Sequence, residues 1–184
     1  MSHLLPFTAI RPVRRYAHAV AALPYDVLSV EEARRVGSSN PLSFLHIEKS
    51  EIDLPDDRAT AEGVFAMARR NLRSFLDNGV LFREDKPCYY VYRQGMGGHV
   101  QWGIVAAASV REYETGRIKR HEYTREDKER ERIAHVDAVN AHTGPVFLTY
   151  RRDSAVDLLV ERLVQGPPEY DFTSGDGVSH TVWR

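Results

Sequence analysis

Residues 119–135 hold the densest run of titratable side chains: Lys-Arg-His-Glu-Tyr-Thr-Arg-Glu-Asp-Lys-Glu-Arg-Glu-Arg-Ile-Ala-His. Thr124, with Asp127 three residues on, reads as the N-cap of a helix. Counted from there, Arg125, Lys128, Arg132 and His135 recur at spacings of 3, 4 and 3, so they share one stripe. Lys119, Arg120 and His121 lead into the positive end of the same helix. Unpaired N–H groups, a helix dipole and several cations in one place make an anion site, best suited to phosphate. The carboxylates between the cations support a second reading, a solvated helix laced with ion pairs between successive turns.

Two loops offer further chemistry. Tyr25-Asp26 and Asn40-Pro41-Leu42-Ser43 each sit at the end of an apolar segment, and ligands bind on loops carried by a rigid sheet. Asp26 could serve as a general base or a magnesium ligand, or as a turn aspartate that satisfies backbone N–H groups. Glu122 is the other carboxylate placed for the same role, while Tyr25, Asn40 and Ser43 would contact substrate. The eight histidines show no H-E-x-x-H or similar ligand spacing, so no protein metal site is expected. Ser43 and His46 lack the G-x-S-x-G context of a nucleophile. Gly95-Met96-Gly97-Gly98 lacks the spacing of a phosphate loop and reads as a hairpin.

These residues need elements to position them. Ser29 and Glu32 form a capping-box pattern, which predicts a helix over 30–36 that ends at Gly37. Leu42–Ile47 reads as a buried strand. Over 56–78 apolar residues recur on one face of a helix, and Asn78-Gly79 stops it. Strands are expected at 89–93 and 101–110, the second one central because 104–110 is nearly all apolar. A short strand over 118–122 and the helix from Thr124 to about Ala141 come next. A strand at 146–150 follows, then a helix capped by Ser154 with Leu158 and Leu159 facing inward, then a hairpin around Ser174–Gly177. Interleaved strands and short helices give an α+β (mixed α/β) class, a central mixed sheet with short flanking helices.

The chain has 184 residues, 42 % hydrophobic and 28 % charged, the profile of one soluble α/β domain over 1–184. A formal charge of −1, from 25 Lys+Arg against 26 Asp+Glu, argues against nucleic acid and against anionic membrane as partners. Cys88 is the only cysteine, which excludes an internal disulfide and fits a reducing compartment. No apolar run approaches the roughly 20 residues that span a bilayer, and the start is not a secretory signal. The expected location is cytoplasmic.

Pro24-Tyr25-Asp26-Val27-Leu28-Ser29 with Glu31-Glu32-Ala33, Asn40–His46, Tyr90-Val91-Tyr92-Arg93-Gln94, Lys119–Asn140 and Thr143–Leu148 together resemble a family of bacterial and archaeal proteins, domain of unknown function 1015. Family members run on to an Asp-Gly-His-His-Arg segment, which relates them to the ParB/sulfiredoxin-like superfamily and to kinases of free serine. Here Asp176-Gly177 is followed by Val178-Ser179, so the resemblance implies the N-terminal portion of a longer protein. It also implies a nucleotide-dependent kinase of a small hydroxyl metabolite, using ATP or ADP with magnesium. In that reading His121, Thr124, Arg125, Lys128, Arg132 and His135 hold phosphates, and Asp26 or Glu122 is base or magnesium ligand. The alternatives are a non-catalytic module for a metabolite or anion, and a ParB-like nucleic-acid-binding protein. Oligomeric state is left open.

Overall fold

The computed structural model describes residues 2–184. The chain divides into two compact units, each assembled from separated segments. The first comprises the residues up to Arg14, Arg83–Tyr123 and Leu148–Arg184; the second comprises Arg15–Phe82 and Thr124–Phe147. Elements are numbered along the chain.

The first unit holds the strands β1 (Leu4–Leu5), β2 (Ile10–Pro12), β4 (Tyr90–Met96), β5 (His99–Val105), β6 (Ala107–Ala108), β7 (Tyr170–Thr173) and β8 (Ser179–Trp183), with helices α5 (Val110–Glu114) and α7 (Ser154–Leu163). β4 and β5 form the hairpin its glycines announce: Gly97 and Gly98 have φ of 56° and 84°, the left-handed pair that a two-residue turn demands. A second hairpin, β7–β8, docks on it, and the sheet order is β5-β4-β8-β7, antiparallel throughout. Trp183 anchors the sheet. It is buried, its indole N–H donates to the Gly166 carbonyl at 3.1 Å, and its ring stacks on Trp102 at 5.6 Å. At the same end of β8, the Glu84 carboxylate accepts from the Arg11 guanidinium at 2.6 Å and from Arg184 at 3.1 Å.

The second unit is helical: α1 (Ala17–Val20), α2 (Val30–Ser39), α3 (Leu45–Glu48), α4 (Ala61–Asp77) and α6 (Glu126–Val139). β3 (Leu81–Arg83) lies at the chain junction between the units. The capping box forms as its spacing requires, with Ser29 Oγ accepting from the Glu32 N–H and the Ser29 N–H donating to the Glu32 carboxylate. Ala33, Leu45 and Ile52 make a buried cluster with Leu28 against it, and α4 packs on α3 and α6. Among the described residues, no helix is long and apolar enough to cross a membrane.

Helix and strand are mixed in an α+β arrangement, but several local expectations fail. Residues 42–47 do not form a strand. The Asn40 side chain accepts from the Leu42 N–H, Ser43 Oγ accepts from the Leu45 N–H, and the chain coils into α3. A short apolar run does not distinguish strand from helix, and here the two local caps favour the helix. Gly37 does not terminate α2; it lies inside it, buried, where a Cβ would stand 2.7 Å from Ile52 Cδ1. Residues 101–110 are not one central strand. β5 stops at Val105 on the sheet edge, β6 pairs instead with β1, and Ser109 caps α5. Residues 118–122 and 146–150 form no strand, and Val146 and Phe147 are exposed. Asp153, not Ser154, caps α7, and Leu158 and Leu159 point to solvent.

Candidate functional site

The cationic stripe lies on α6 in the second unit. The helix starts one residue later than the threonine implies. Arg125 occupies the N-cap with no side-chain cap, and the Thr124 hydroxyl donates to the Glu129 carboxylate at 3.1 Å. Glu126, Asp127 and Glu129 fill the first turn and complement the positive end of the helix dipole.

Along the stripe the cations fall into two pairs. Arg125 holds Asp127 through two hydrogen bonds, at 2.8 and 3.2 Å, and Lys128 donates to Glu131 at 3.0 Å; both ion pairs are exposed. Arg132 and His135 turn inward. The Arg132 guanidinium grips both Glu48 oxygens, at 2.8 and 3.1 Å, and donates a further bond to Thr143 Oγ1 at 3.2 Å. Its Cζ lies 4.9 Å from the centre of the Tyr25 ring. Gly144 makes room for it, since a Cβ there would stand 2.8 Å from the guanidinium. His135 is 5 % exposed; its Nε2 meets the Ile47 carbonyl at 3.0 Å, so that nitrogen must carry the proton. Nδ1 of His135 has no partner among the described residues.

Glu48 is the centre of this arrangement. Its side chain is only 10 % exposed. Burial pushes its carboxyl up, but hydrogen bonds from Arg132 and Thr143 and the Arg132 charge outweigh it and hold Glu48 below the usual carboxylate range. The Thr143 hydroxyl thus bridges the pair, accepting from Arg132 and donating to Glu48.

The loop residues divide as well. Tyr25 is half-exposed under Arg132, and Lys49 Nζ fastens its loop by donating to the Tyr25 carbonyl at 3.2 Å. Asp26 beside it is exposed and makes no hydrogen bond or ion pair with the described residues. Asn40 and Ser43 serve the backbone: Asn40 Nδ2 donates to the Ala19 carbonyl at 2.7 Å, and Ser43 is buried at the start of α3. Next to them His46 has an acceptor on each ring nitrogen. Asp53 Oδ1 lies 2.8 Å from Nδ1, and the carbonyls of Gly37 and Asn40 each lie 3.2 Å from Nε2. The doubly protonated ring satisfies all three acceptors, and the Asp53 hydrogen bond favours it, raising the His46 pKa in spite of burial.

Of the eleven residues singled out from the sequence, His121 and Glu122 belong to the first unit and the other nine to the second. Both are exposed. The structure brings Tyr25 and Arg132 into direct contact and puts Asp26 one residue away.

One family matches the chain from residue 4 to residue 184, the family described as Protein of unknown function (DUF1015). The chain belongs to this family. No curated protein and no solved structure matches it. In this DUF1015 protein the residues that sequence reasoning missed are Glu48, Lys49 and Thr143. Glu48 is 84 positions from Arg132, so no local spacing marks it. The one available signal is indirect: an arginine on the stripe that turns inward needs a buried carboxylate.

Proposed function

We propose that this DUF1015 protein is a nucleotide-dependent kinase of a small hydroxyl metabolite such as serine, with the phosphates held along α6 and Asp26 as base. The observation that carries the reading is the stack of Arg132 on Tyr25, which ties the loop bearing Asp26 to the cationic helix. Arg125 and Lys128, exposed in the first turns, are the cations that a phosphate can reach. Phosphoryl transfer asks mainly for positioning and charge neutralisation, so a free carboxylate on a loop tied to a helix that carries cations is the needed equipment. Asp26 takes the proton of the substrate hydroxyl as its oxygen bonds to phosphorus and the nucleotide leaves. Magnesium would enter with the nucleotide phosphates, which hold it with few protein carboxylates.

The acidic first turn of α6 favours a second reading. Glu126, Asp127 and Glu129 already answer the helix dipole, which suits a non-catalytic module that binds a metabolite or anion by exchanging ion-pair partners. Calorimetry with ATP, ADP and serine in the presence of magnesium, followed by phosphorus NMR for phosphoserine, separates the two. The kinase reading expects heat with a nucleotide, turnover abolished by Asp26→Asn, and affinity about tenfold weaker for each of Arg125→Ala and Lys128→Ala. Binding without turnover leaves the module, and no heat with any nucleotide removes the kinase.

A further inference from the structure

The edge strand β5 carries an inference independent of α6. The two-residue Gly97-Gly98 turn makes Met96 and His99 a hydrogen-bonded pair, and antiparallel pairs alternate from there. Val100, Trp102 and Ile104 therefore fall at the non-hydrogen-bonded positions opposite Gly95, Arg93 and Val91. Their N–H and C=O groups point away from β4, and among the described residues β5 has no strand on that side. Sheet edges are ordinarily guarded by lysine, proline or a bulge; residues 99–105, His-Val-Gln-Trp-Gly-Ile-Val, contain none of these. Val100 and Trp102 are 41 % and 43 % exposed.

We propose that β5 is a self-association edge, on which a second copy of this chain pairs β5 to β5 antiparallel about a two-fold axis at Trp102. The strand is its own complement. With Trp102 opposite Trp102 of the second copy, Val100 meets Ile104, and the outward backbone groups of all three residues face one another in register. On that face the pairs are apolar or aromatic, and Trp102 is already braced by Trp183 at 5.6 Å and by the Arg93 guanidinium at 5.8 Å. On the other face Gln101 meets Gly103, where a Cβ would find open space. No like charges oppose each other, because His99 is the only titratable side chain in the strand.

Sedimentation of the full chain from micromolar to near-millimolar concentration tests this. The mass should rise from 21.0 kDa toward twice that value. Amide exchange at Val100, Trp102 and Ile104 should slow in step, while the inward amides of Gln101 and Gly103 stay protected throughout. Trp102→Lys, which sets two lysines opposite each other, should hold the chain monomeric over the whole range. Val100→Pro should do the same by removing an outward N–H that the folded sheet does not use. Thr173→Lys, on β7 at the opposite edge, should leave association unchanged. A monomer at every concentration, or association that survives both β5 variants, overturns the proposal. So does outward-amide protection that is independent of concentration.

Discussion

Replacing Arg132 by methionine keeps an unbranched apolar stem and removes the guanidinium and its charge. Glu48 would then be a buried carboxylate, 10 % exposed, with the Thr143 hydroxyl in place of a bidentate guanidinium. Removing one partner of such a pair costs about 3–5 kcal/mol, because an uncompensated charge stays in the interior. For a chain of this size each kcal/mol moves the melting midpoint by about 2–4 °C, so a fall of about 6–20 °C is expected. Far-UV circular dichroism follows it, since α4 and α6, the longest helices, belong to the second unit. Both tryptophans lie in the first unit, so their fluorescence serves as an internal control. Adding Glu48→Leu removes the stranded charge and should restore all but about 1 kcal/mol. Acid separates this mechanism from lost packing. In the native chain Glu48 is held below its ordinary 4.5, so its contribution is present above that value and is lost as pH falls through the folded pKa. In Arg132→Met the guanidinium no longer offsets burial and the Thr143 hydrogen bond is left to oppose it, so the carboxyl rises relative to the native chain and the deficit should shrink as pH falls. A deficit under about 1 kcal/mol, a deficit unchanged by acid, or a double variant as damaged as the two singles summed would refute the reasoning.

His46 and His180 should titrate on opposite sides of 6.5. The Asp53 hydrogen bond raises His46, so its stabilisation is full below 6.5 and fades as pH rises through the folded value. Burial lowers His180, so its stabilisation is full above 6.5 and fades as pH falls through the folded value; ring-proton NMR that puts both on one side contradicts the assignment. Gly37→Ala should cost about 1–3 kcal/mol, because the new methyl meets Ile52 at 2.7 Å and His46 at 3.2 Å; urea unfolding measures it. Thr143→Val removes the hydroxyl between Arg132 and Glu48 and should cost about 1 kcal/mol, seen as an earlier urea midpoint, whereas Thr143→Ser, which keeps the hydroxyl, should stay close to the native midpoint.

Where a local residue pattern admits only one structure, it was legible. The Ser29–Glu32 box and the two glycine-bearing hairpins need only near neighbours, and each forms. Residues 42–47 were not legible as helix, because their apolar side chains satisfy either periodicity and the deciding hydrogen bonds come from the small polar groups of Asn40 and Ser43. The stripe on α6 was readable as a spacing, but not its division. Whether a cation meets solvent or a buried acid depends on Glu48, which the fold and not the local chain brings to Arg132. His135 shows the same limit. It shares the stripe, yet its nitrogen is fixed by the Ile47 carbonyl 88 positions away.

The strand order of the first unit sets a sequence of events in synthesis. β8 lies between β4 and β7, so the β4–β5 hairpin emerges with one side of β4 open and waits through residues 106–178 for β8 to close it. The second unit begins at Arg15 and is complete at Phe147. Its Glu48 waits for Arg132, but that wait ends sooner. Neither unit can be excised as one continuous piece of chain, and non-local closure of this kind slows folding. The unit begun second is therefore the first to close, and it does so while the unpaired strands of the other are still exposed.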